Sequence, residues 1–145
     1  MTNYKGMMPG VVEEILIAIE SGKPLFLLGG FGGATASVVS SILSGELDEN
    51  LTLEWQKVHS LGYSELVNVA GRYGHPVDYS RLSIFKRCKI KKLARDAGLN
   101  EVDYRRLMES PYEDECVRLI IKGINSLCVK TRRRLRRVES PVRKK

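Results

Sequence analysis

Apolar residues recur with helical spacing on either side of a short apolar run. The first set predicts a helix over Pro9–Glu20, and the second predicts a helix over Ala34–Ser44 that Gly45 ends. Between these helices, Leu25–Leu28 shows no polar alternation, which is typical of a strand covered on both faces in a parallel sheet. The first third of the chain therefore predicts the order helix, strand, helix.

The remaining sequence predicts helices only. We expect them over Leu51–Ser60, Ser64–Tyr73, Asp78–Ala97 and from Asn100 to Glu109, followed by a final helix that opens at the capping box Ser110–Glu113. The apolar stripe of the final helix comprises Cys116, Val117, Ile120, Ile121, Ile124 and Leu127. One strand cannot form a sheet alone. We therefore expect the chain to belong to a larger α/β domain, or to complete its sheet with a second copy or an upstream companion chain.

Four glycines within five residues follow the predicted strand, at positions 29, 30, 32 and 33. Glycine permits positive φ and close backbone approach, and the start of the next helix offers free N–H groups and a positive dipole end. This pattern favours a phosphate or anion site, although a tight strand–helix junction also uses glycine for packing alone. The spacing is neither a Walker A loop nor a strict dinucleotide fingerprint, because Thr35 stands at the third glycine position. Asp48 and Glu49 lie at about the distance of a ribose-binding acid, but their polar turn favours a solvated position.

The length and composition of the chain limit the classes of protein to which it can belong. A chain of 145 residues predicts one domain, and no apolar run approaches the ~18 residues of a membrane span or resembles a signal peptide. We therefore expect a cytoplasmic protein. Cys88, Cys116 and Cys128 lack C-x-x-C spacing, and His59 and His75 are isolated in the sequence, so neither a disulfide framework nor a metal site is indicated.

The net charge of +7 is concentrated in the C-terminal tail. Residues 130–145 hold nine basic residues and one acid, whereas the other 129 residues hold 15 basic and 16 acidic residues. Such a segment is predicted to be disordered, and it favours contact with nucleic acid, an anionic membrane or an acidic partner. A purely solubilising tail is the alternative. We thus divide the chain into a domain at 1–129, with a glycine-rich α/β core at 4–45 and a helical part at 46–129, and a basic tail at 130–145.

Two segments of the chain resemble the SLOG superfamily, the Rossmann-like nucleotide-ligand sensor domains related to the DprA and lonely-guy proteins. Tyr4–Thr35 reads YKGMMPGVVEEILIAIESGKPLFLLGGFGGAT. This is similar to the G-x-MPG-x-x-EE, GKPLYL and GGFGGA elements of the sensor branch associated with prokaryotic conflict systems. Val77–Leu127 is similar too, through D-Y-x-x-L at Asp78–Leu82 and R-R-L-M-E-S-P before the last helix. Members begin with strands and a first phosphate loop, so the chain resembles the C-terminal portion of such a domain.

The resemblance implies an α/β fold class and a sensing function. The expected architecture is a partial Rossmann-like unit of helix, strand, glycine-rich loop and helix, followed by a mostly helical C-terminal half. The expected function is binding or sensing of a nucleotide-derived, ADP-ribose-like ligand within a prokaryotic defence system, together with a partner chain. The implied ligand-binding residues are Gly6, Pro9, Gly10, Glu13, Gly29, Gly30, Phe31, Gly32, Gly33, Ala34 and Thr35.

Two other functions stay open at this point. A nucleotide N-glycosidase or phosphoribohydrolase-like enzyme would use Glu13 or Glu14 beside Pro9-Gly10, although acids in a first helical turn also complement the helix dipole. DprA-like nucleic-acid binding would use a basic helix face and the tail, although a solvated helix face explains the same charges. Its candidate residues are Lys86, Lys89, Lys92, Arg95, Arg132, Arg133, Arg134, Arg136 and Arg137.

Overall fold

The computed structural model describes residues 8–138, with side chains described as far as residue 132. Within this range every regular element is helical. The α-helices are α1 (Gly10–Glu20), α2 (Gly33–Ser44), α3 (Leu53–His59), α4 (Tyr63–Arg72), α5 (Ser83–Arg87), α6 (Ile90–Asp96), α7 (Glu101–Glu109) and α8 (Glu113–Val138). Single 3-10 turns occur at Gly29–Phe31, Glu49–Leu51 and Ser80–Leu82.

The prediction of a partial Rossmann-like α/β fold is wrong, because residues 8–138 contain no strand. The segment 23–28 has no regular secondary structure, and no strand of the described residues pairs with it. Instead, the hydroxyl of the fully buried Tyr104 donates a hydrogen bond of 2.9 Å to the Leu25 carbonyl and accepts one from the Leu27 backbone. Helical residues surround Leu27 in the core. A side chain thus bonds two of the backbone groups that a neighbouring strand would have paired, and the apolar run packs on the core without becoming a strand.

Several helix predictions are confirmed, including α1, α2 and α7. Asn100 begins α7 as expected, because its side chain accepts a hydrogen bond from the Asp103 backbone N–H. The long helix predicted over Asp78–Ala97 is wrong. Cys88 and Lys89 have extended backbone conformations, which separate α5 from α6. The break allows α5 to pack on α2 while α6 packs on α7.

One apolar core joins the first 45 residues to the helices that follow. Its members run from Met8 and Val12 of the N-terminal part to Cys116 and Leu119 of α8. Close backbone approach helps to assemble this core: a Cβ atom on Gly123 would lie 2.8 Å from the Phe26 ring and 2.5 Å from the Ala97 carbonyl oxygen. The segment 23–28 is therefore packed against helices from distant parts of the chain.

The final helix differs from its prediction in two respects. It continues to Val138, into the segment where we predicted disorder, while residues 139–145 lie outside the described range. Its predicted apolar stripe is also divided, since Cys116 is buried whereas Val117, Ile121 and Ile124 are exposed. Among the described residues, no helix is both long enough and apolar enough to cross a bilayer.

Candidate functional site

A cavity of about 700 Å³ lies between helix α2 and the segment that runs from Asp48 to Ser60. Its size falls within the usual range of small-molecule pockets. One wall is a single face of α2, and the other wall is formed by the Glu49–Leu51 turn and by α3. The lining residues are Pro9, Gly33, Ala34, Ala36, Ser37, Ser40, Asp48, Asn50, Leu51, Trp55, Gln56, His59 and Ser60.

Hydrogen bonds fix the polar wall of this cavity against α2. The Ser41 hydroxyl donates to the Ser37 carbonyl at 2.8 Å and accepts from the Asp48 backbone N–H at 2.9 Å. The Asn50 side-chain amide donates to the Ser37 hydroxyl at 3.4 Å. The buried Gln56 amide then donates to the Asn50 carbonyl at 2.7 Å, which connects the turn to α3. The wall is therefore preorganised by groups from three elements.

Asp48 contributes the cavity's carboxylate. Its Oδ1 atom accepts a hydrogen bond of 3.1 Å from the Asn50 backbone N–H, so the side chain also caps the 3-10 turn that follows. The residue is half-buried rather than fully solvated. An ionised carboxylate has about four acceptor positions, so this side chain can accept further hydrogen bonds from a ligand.

Trp55 and His59 form an aromatic pair on α3. Their ring centroids lie 4.1 Å apart and their planes differ by 16°, which is a stacked arrangement. The backbone carbonyl of Trp55 lies 2.9 Å from His59 Nδ1 and fixes the orientation of the imidazole. Trp55 is half-buried and His59 is exposed. The pair gives the cavity a flat surface on which a planar group can stack.

The four glycines of the predicted loop divide into two pairs. A Cβ atom on Gly29 would lie 2.7 Å from the Met108 carbonyl oxygen, and one on Gly30 would overlap the carbonyl group of Ser110. In contrast, Cβ atoms on Gly32 and Gly33 would meet nothing within 4 Å. These two residues have φ angles of +83° and +66°. The first pair therefore permits packing against the end of α7, and the second pair shapes the backbone that enters α2.

Helix α2 begins without a side-chain cap, because Gly32 occupies the capping position. By comparison, the side chain of Asp48 caps the 3-10 turn and that of Thr52 caps α3. Gly33 and Ala34, the first two residues of α2, line the cavity. The N–H groups of a first helical turn have no partner within the helix and lie at its positive dipole end. They can therefore donate hydrogen bonds to an anionic group in this cavity.

The structure brings only some of the predicted ligand-binding residues to the cavity. Pro9, Gly33 and Ala34 line it, whereas Gly29 and Gly30 pack against α7. The predicted residues that do not line it also include Gly10, Glu13, Phe31, Gly32 and Thr35, of which all but Thr35 are exposed. Gly6 lies outside the described residues. Glu13 and Glu14 are exposed on α1 away from the cavity lining.

The basic residues proposed for nucleic-acid binding do not share one helix. Lys86 belongs to α5, Lys89 lies in the break, and Lys92 and Arg95 belong to α6. Lys92 and Arg95 both form ion pairs with Asp96, at 2.8 Å and 3.3 Å. The Lys92 hydrogen bond lowers the pKa of Asp96. Arg132 is exposed on α8, and the side chains of Arg133, Arg134, Arg136 and Arg137 lie outside the described range.

Sequence reasoning missed the aromatic pair and the serines of α2. The signal for the pair was present, because residues four apart on a helix lie on the same face and the chain contains a single tryptophan. His59 was instead considered in isolation. Asp48 was noted for its spacing, but its turn gave no indication that Ser41 would hold it beside α2. The serines carry no distinctive sequence pattern.

A second depression, of about 590 Å³, lies along α7 and the loop that precedes α8. Its wall includes both acidic and basic side chains, and Arg106 forms an ion pair with Glu115 there. The exposed side chains of Val102 and Tyr112 supply its apolar surface. None of the residues predicted to bind ligand lines it, so it is a suitable control site for experiments on the α2 cavity.

Comparison with known proteins identifies a family. A family model described as SLOG cluster2 matches residues 1–107. The matched residues include every residue that lines the α2 cavity and end before α8. No curated protein and no solved structure gives a significant match. The chain therefore belongs to the SLOG cluster2 family.

Proposed function

Given that the chain is a SLOG cluster2 protein, we propose that it binds a nucleotide-derived ligand of the ADP-ribose type in the α2 cavity. Family membership supports a role in nucleotide-ligand sensing in general. The observation that carries the more specific proposal is that an aromatic pair, a carboxylate and an uncapped helix start line the same cavity. These three features match the base, the ribose and the phosphate of a nucleotide.

The base stacks on the Trp55–His59 pair. One face of each ring is covered by the other ring of the pair. A base would therefore stack on the opposite face of Trp55 or of His59. Base–aromatic stacking is worth about 1–3 kcal/mol per base by alanine substitution. Stacking is therefore expected to supply the largest single share of the affinity.

The ribose hydroxyls donate to Asp48. Carboxylates that accept from ribose hydroxyls are a recurrent feature of nucleotide sites. Asp48 is suited to this role because its position is fixed by Ser41 and Asn50 before any ligand arrives. Less side-chain entropy is lost on binding when a contact group is already ordered.

The phosphate lies at the start of α2, beside Gly33 and Ala34. Helix N-termini attract anions, but at exposed sites the effect is only about 0.3–1 kcal/mol. The described lining contains no lysine or arginine. We therefore expect weak binding of free phosphate or pyrophosphate and stronger binding of ligands that also contain a nucleoside.

The fluorescence of the single tryptophan provides a direct test. ADP-ribose, adenosine and pyrophosphate are titrated separately into the full chain while Trp55 emission is recorded, and affinities are then measured by calorimetry. We expect ADP-ribose and adenosine to quench Trp55 emission, with pyrophosphate having little effect. Trp55→Ala and Asp48→Ala should each weaken ADP-ribose binding, the former by about tenfold to 100-fold.

A matched control uses the depression on α7. Val102→Ala removes an exposed apolar side chain from that surface and should leave the affinity for ADP-ribose unchanged. The proposal is wrong if neither nucleoside ligand binds. The assignment of the site is wrong if Trp55→Ala and Asp48→Ala retain full affinity while Val102→Ala loses it.

A further inference from the structure

Helix α8 has two different apolar faces. One face, which includes Cys116, Leu119 and Gly123, is buried against the rest of the molecule. The adjacent face carries Val117, Ile121, Ile124 and Cys128, which are all exposed. The exposed fractions of Val117, Ile121 and Ile124 are 49%, 53% and 46%. We call these four exposed residues the α8 seam.

The spacing of the α8 seam is that of a coiled-coil interface. Its residues lie four, three and four positions apart, which matches the alternating positions that contact a partner helix in a two-stranded coiled coil. An isolated exposed leucine or valine needs no explanation, but a contiguous apolar line with this period does. The seam extends over about three turns of a helix that is 26 residues long.

The distribution of charge along α8 indicates which partner covers the seam. The first turn is acidic, with Glu113 and Asp114 exposed, whereas the exposed residues after the seam include Lys130 and Arg132. A helix with opposite charges at its two ends is complementary to an antiparallel copy of itself. A parallel copy would instead place the two acidic first turns together and the two basic ends together, which is less favourable.

We propose that the chain forms a homodimer through antiparallel packing of the α8 seam. An antiparallel pair centred between Ile121 and Ile124 places Ile121 opposite the partner's Ile124 and Val117 opposite the partner's Cys128. The same register places the acidic first turn of one α8 beside the basic end of the partner's α8. Each contact then occurs twice, as in the isologous interface of a two-fold dimer. This inference does not depend on the proposed ligand.

Oligomeric state is the first test. The full chain is studied by sedimentation velocity over a range of concentrations, and we expect a monomer–dimer equilibrium. The double substitution Ile121→Asp, Ile124→Asp should raise the dimer dissociation constant by about 100-fold or more, because it places four charges in the interface. Leu61→Asp is the matched control: Leu61 is 95% exposed and lies away from the seam, so the dimer should persist. Circular dichroism checks that each variant keeps its helical content.

The orientation is tested by cross-linking and by salt. In a Cys88→Ser background, diamide should join two chains only after Val117→Cys is added, because the new thiol then faces the partner's Cys128. A parallel dimer would instead cross-link through Cys128 alone. Added NaCl should weaken an antiparallel dimer by screening its complementary charges and would strengthen a parallel one. The proposal is overturned if the wild-type chain is monomeric at every concentration, if the aspartate variant dimerises normally, or if Cys128 alone cross-links.

Discussion

Gly29 and Gly30 have a different structural role from Gly32 and Gly33, although the four residues form one glycine-rich motif in the sequence. Gly29 and Gly30 lie against the carbonyl groups of Met108 and Ser110, where no side chain fits. A Cβ atom on Gly32 or Gly33 would meet no neighbouring atom, and glycine is favoured at both positions because their φ angles are positive. The comparison shows that one glycine-rich loop can combine close packing against a neighbouring helix with a positive-φ entry into the next helix, in separate halves. Each half can be tested by substitution.

The largest loss of stability is expected from a substitution in the packed half of the run, Gly29 and Gly30. Gly30→Ala inserts a methyl group into the space of the Ser110 carbonyl, and backbone atoms cannot move aside as a flexible side chain can. Overpacking typically costs about 1–3 kcal/mol and occasionally more. We expect a loss of about 3 kcal/mol or more in the free energy of unfolding, measured with urea. A change below ~1 kcal/mol would show that Gly30 is not required for packing.

Tyr104→Phe should have the next largest effect. The substitution removes the hydroxyl that bonds the Leu25 carbonyl and the Leu27 backbone, and it leaves a partly buried acceptor without this partner. Such a loss costs about 1–3 kcal/mol. Urea denaturation measures the change, and hydrogen exchange of the Leu27 amide should accelerate. Unchanged exchange would contradict the view that Tyr104 takes the place of a neighbouring strand.

The same hydroxyl predicts a dependence on alkaline pH. Burial, together with the nearby Cys88, raises the pKa of Tyr104 above its ordinary value of 10.0. The folded state then holds this proton more tightly than the unfolded state. The resulting stability is present below about pH 10 and is lost as the pH rises further. Urea denaturation at several alkaline pH values should show a steeper loss for the wild type than for Tyr104→Phe, and equal slopes would contradict the assignment.

The other half of the run, Gly32 and Gly33, should tolerate substitution better than Gly29 and Gly30. Gly33→Ala meets no neighbouring atom and suffers only the strain of a positive φ angle, which is about 1–2 kcal/mol for a residue with a side chain. Thermal and urea denaturation should therefore show a smaller loss than for Gly30→Ala. If the two losses were equal, the division of the run into two halves would be wrong.

The smallest effect is expected at Phe31, the residue between the two halves. Its side chain is 54% exposed and lies on the 3-10 turn. Phe31→Ala should change the free energy of unfolding by less than about 0.5 kcal/mol, since substitutions away from buried features usually stay within this range. Denaturation with urea measures the change. A loss comparable with that of a buried phenylalanine would mean that Phe31 is covered in solution, for example by a partner.

How much of the fold the sequence predicts depends on whether a feature is local. The α7 cap was predictable because Asn100 acts on a backbone N–H three residues away. Leu25–Leu28 was not, because an apolar run of four residues does not distinguish a strand from another buried segment. The decisive contact comes from Tyr104, which is 79 residues away from Leu25. The break at Cys88 has no glycine or proline to indicate it.

In the candidate site, too, local features could be predicted from the sequence, whereas long-range contacts could not. The spacing of Trp55 and His59 was visible in the sequence, and so was the uncapped start of α2. Their meeting in one cavity depends on Ser41 and Ser37, which hold the Asp48–Asn50 turn against α2. The different roles of Gly30 and Gly33 were also hidden, because only the fold brings Ser110 beside Gly30.

The central claim is that a nucleotide-derived ligand lies in the α2 cavity. The most direct test is a titration of the isotopically labelled full chain with ADP-ribose, followed by NMR of its amide and indole N–H groups. We predict that the resonances of Gly33, Ala34 and the Trp55 indole shift together, while those of Val102 and Tyr112 stay in place. Shifts confined to Val102 and Tyr112, or no shifts at all, would contradict the claim.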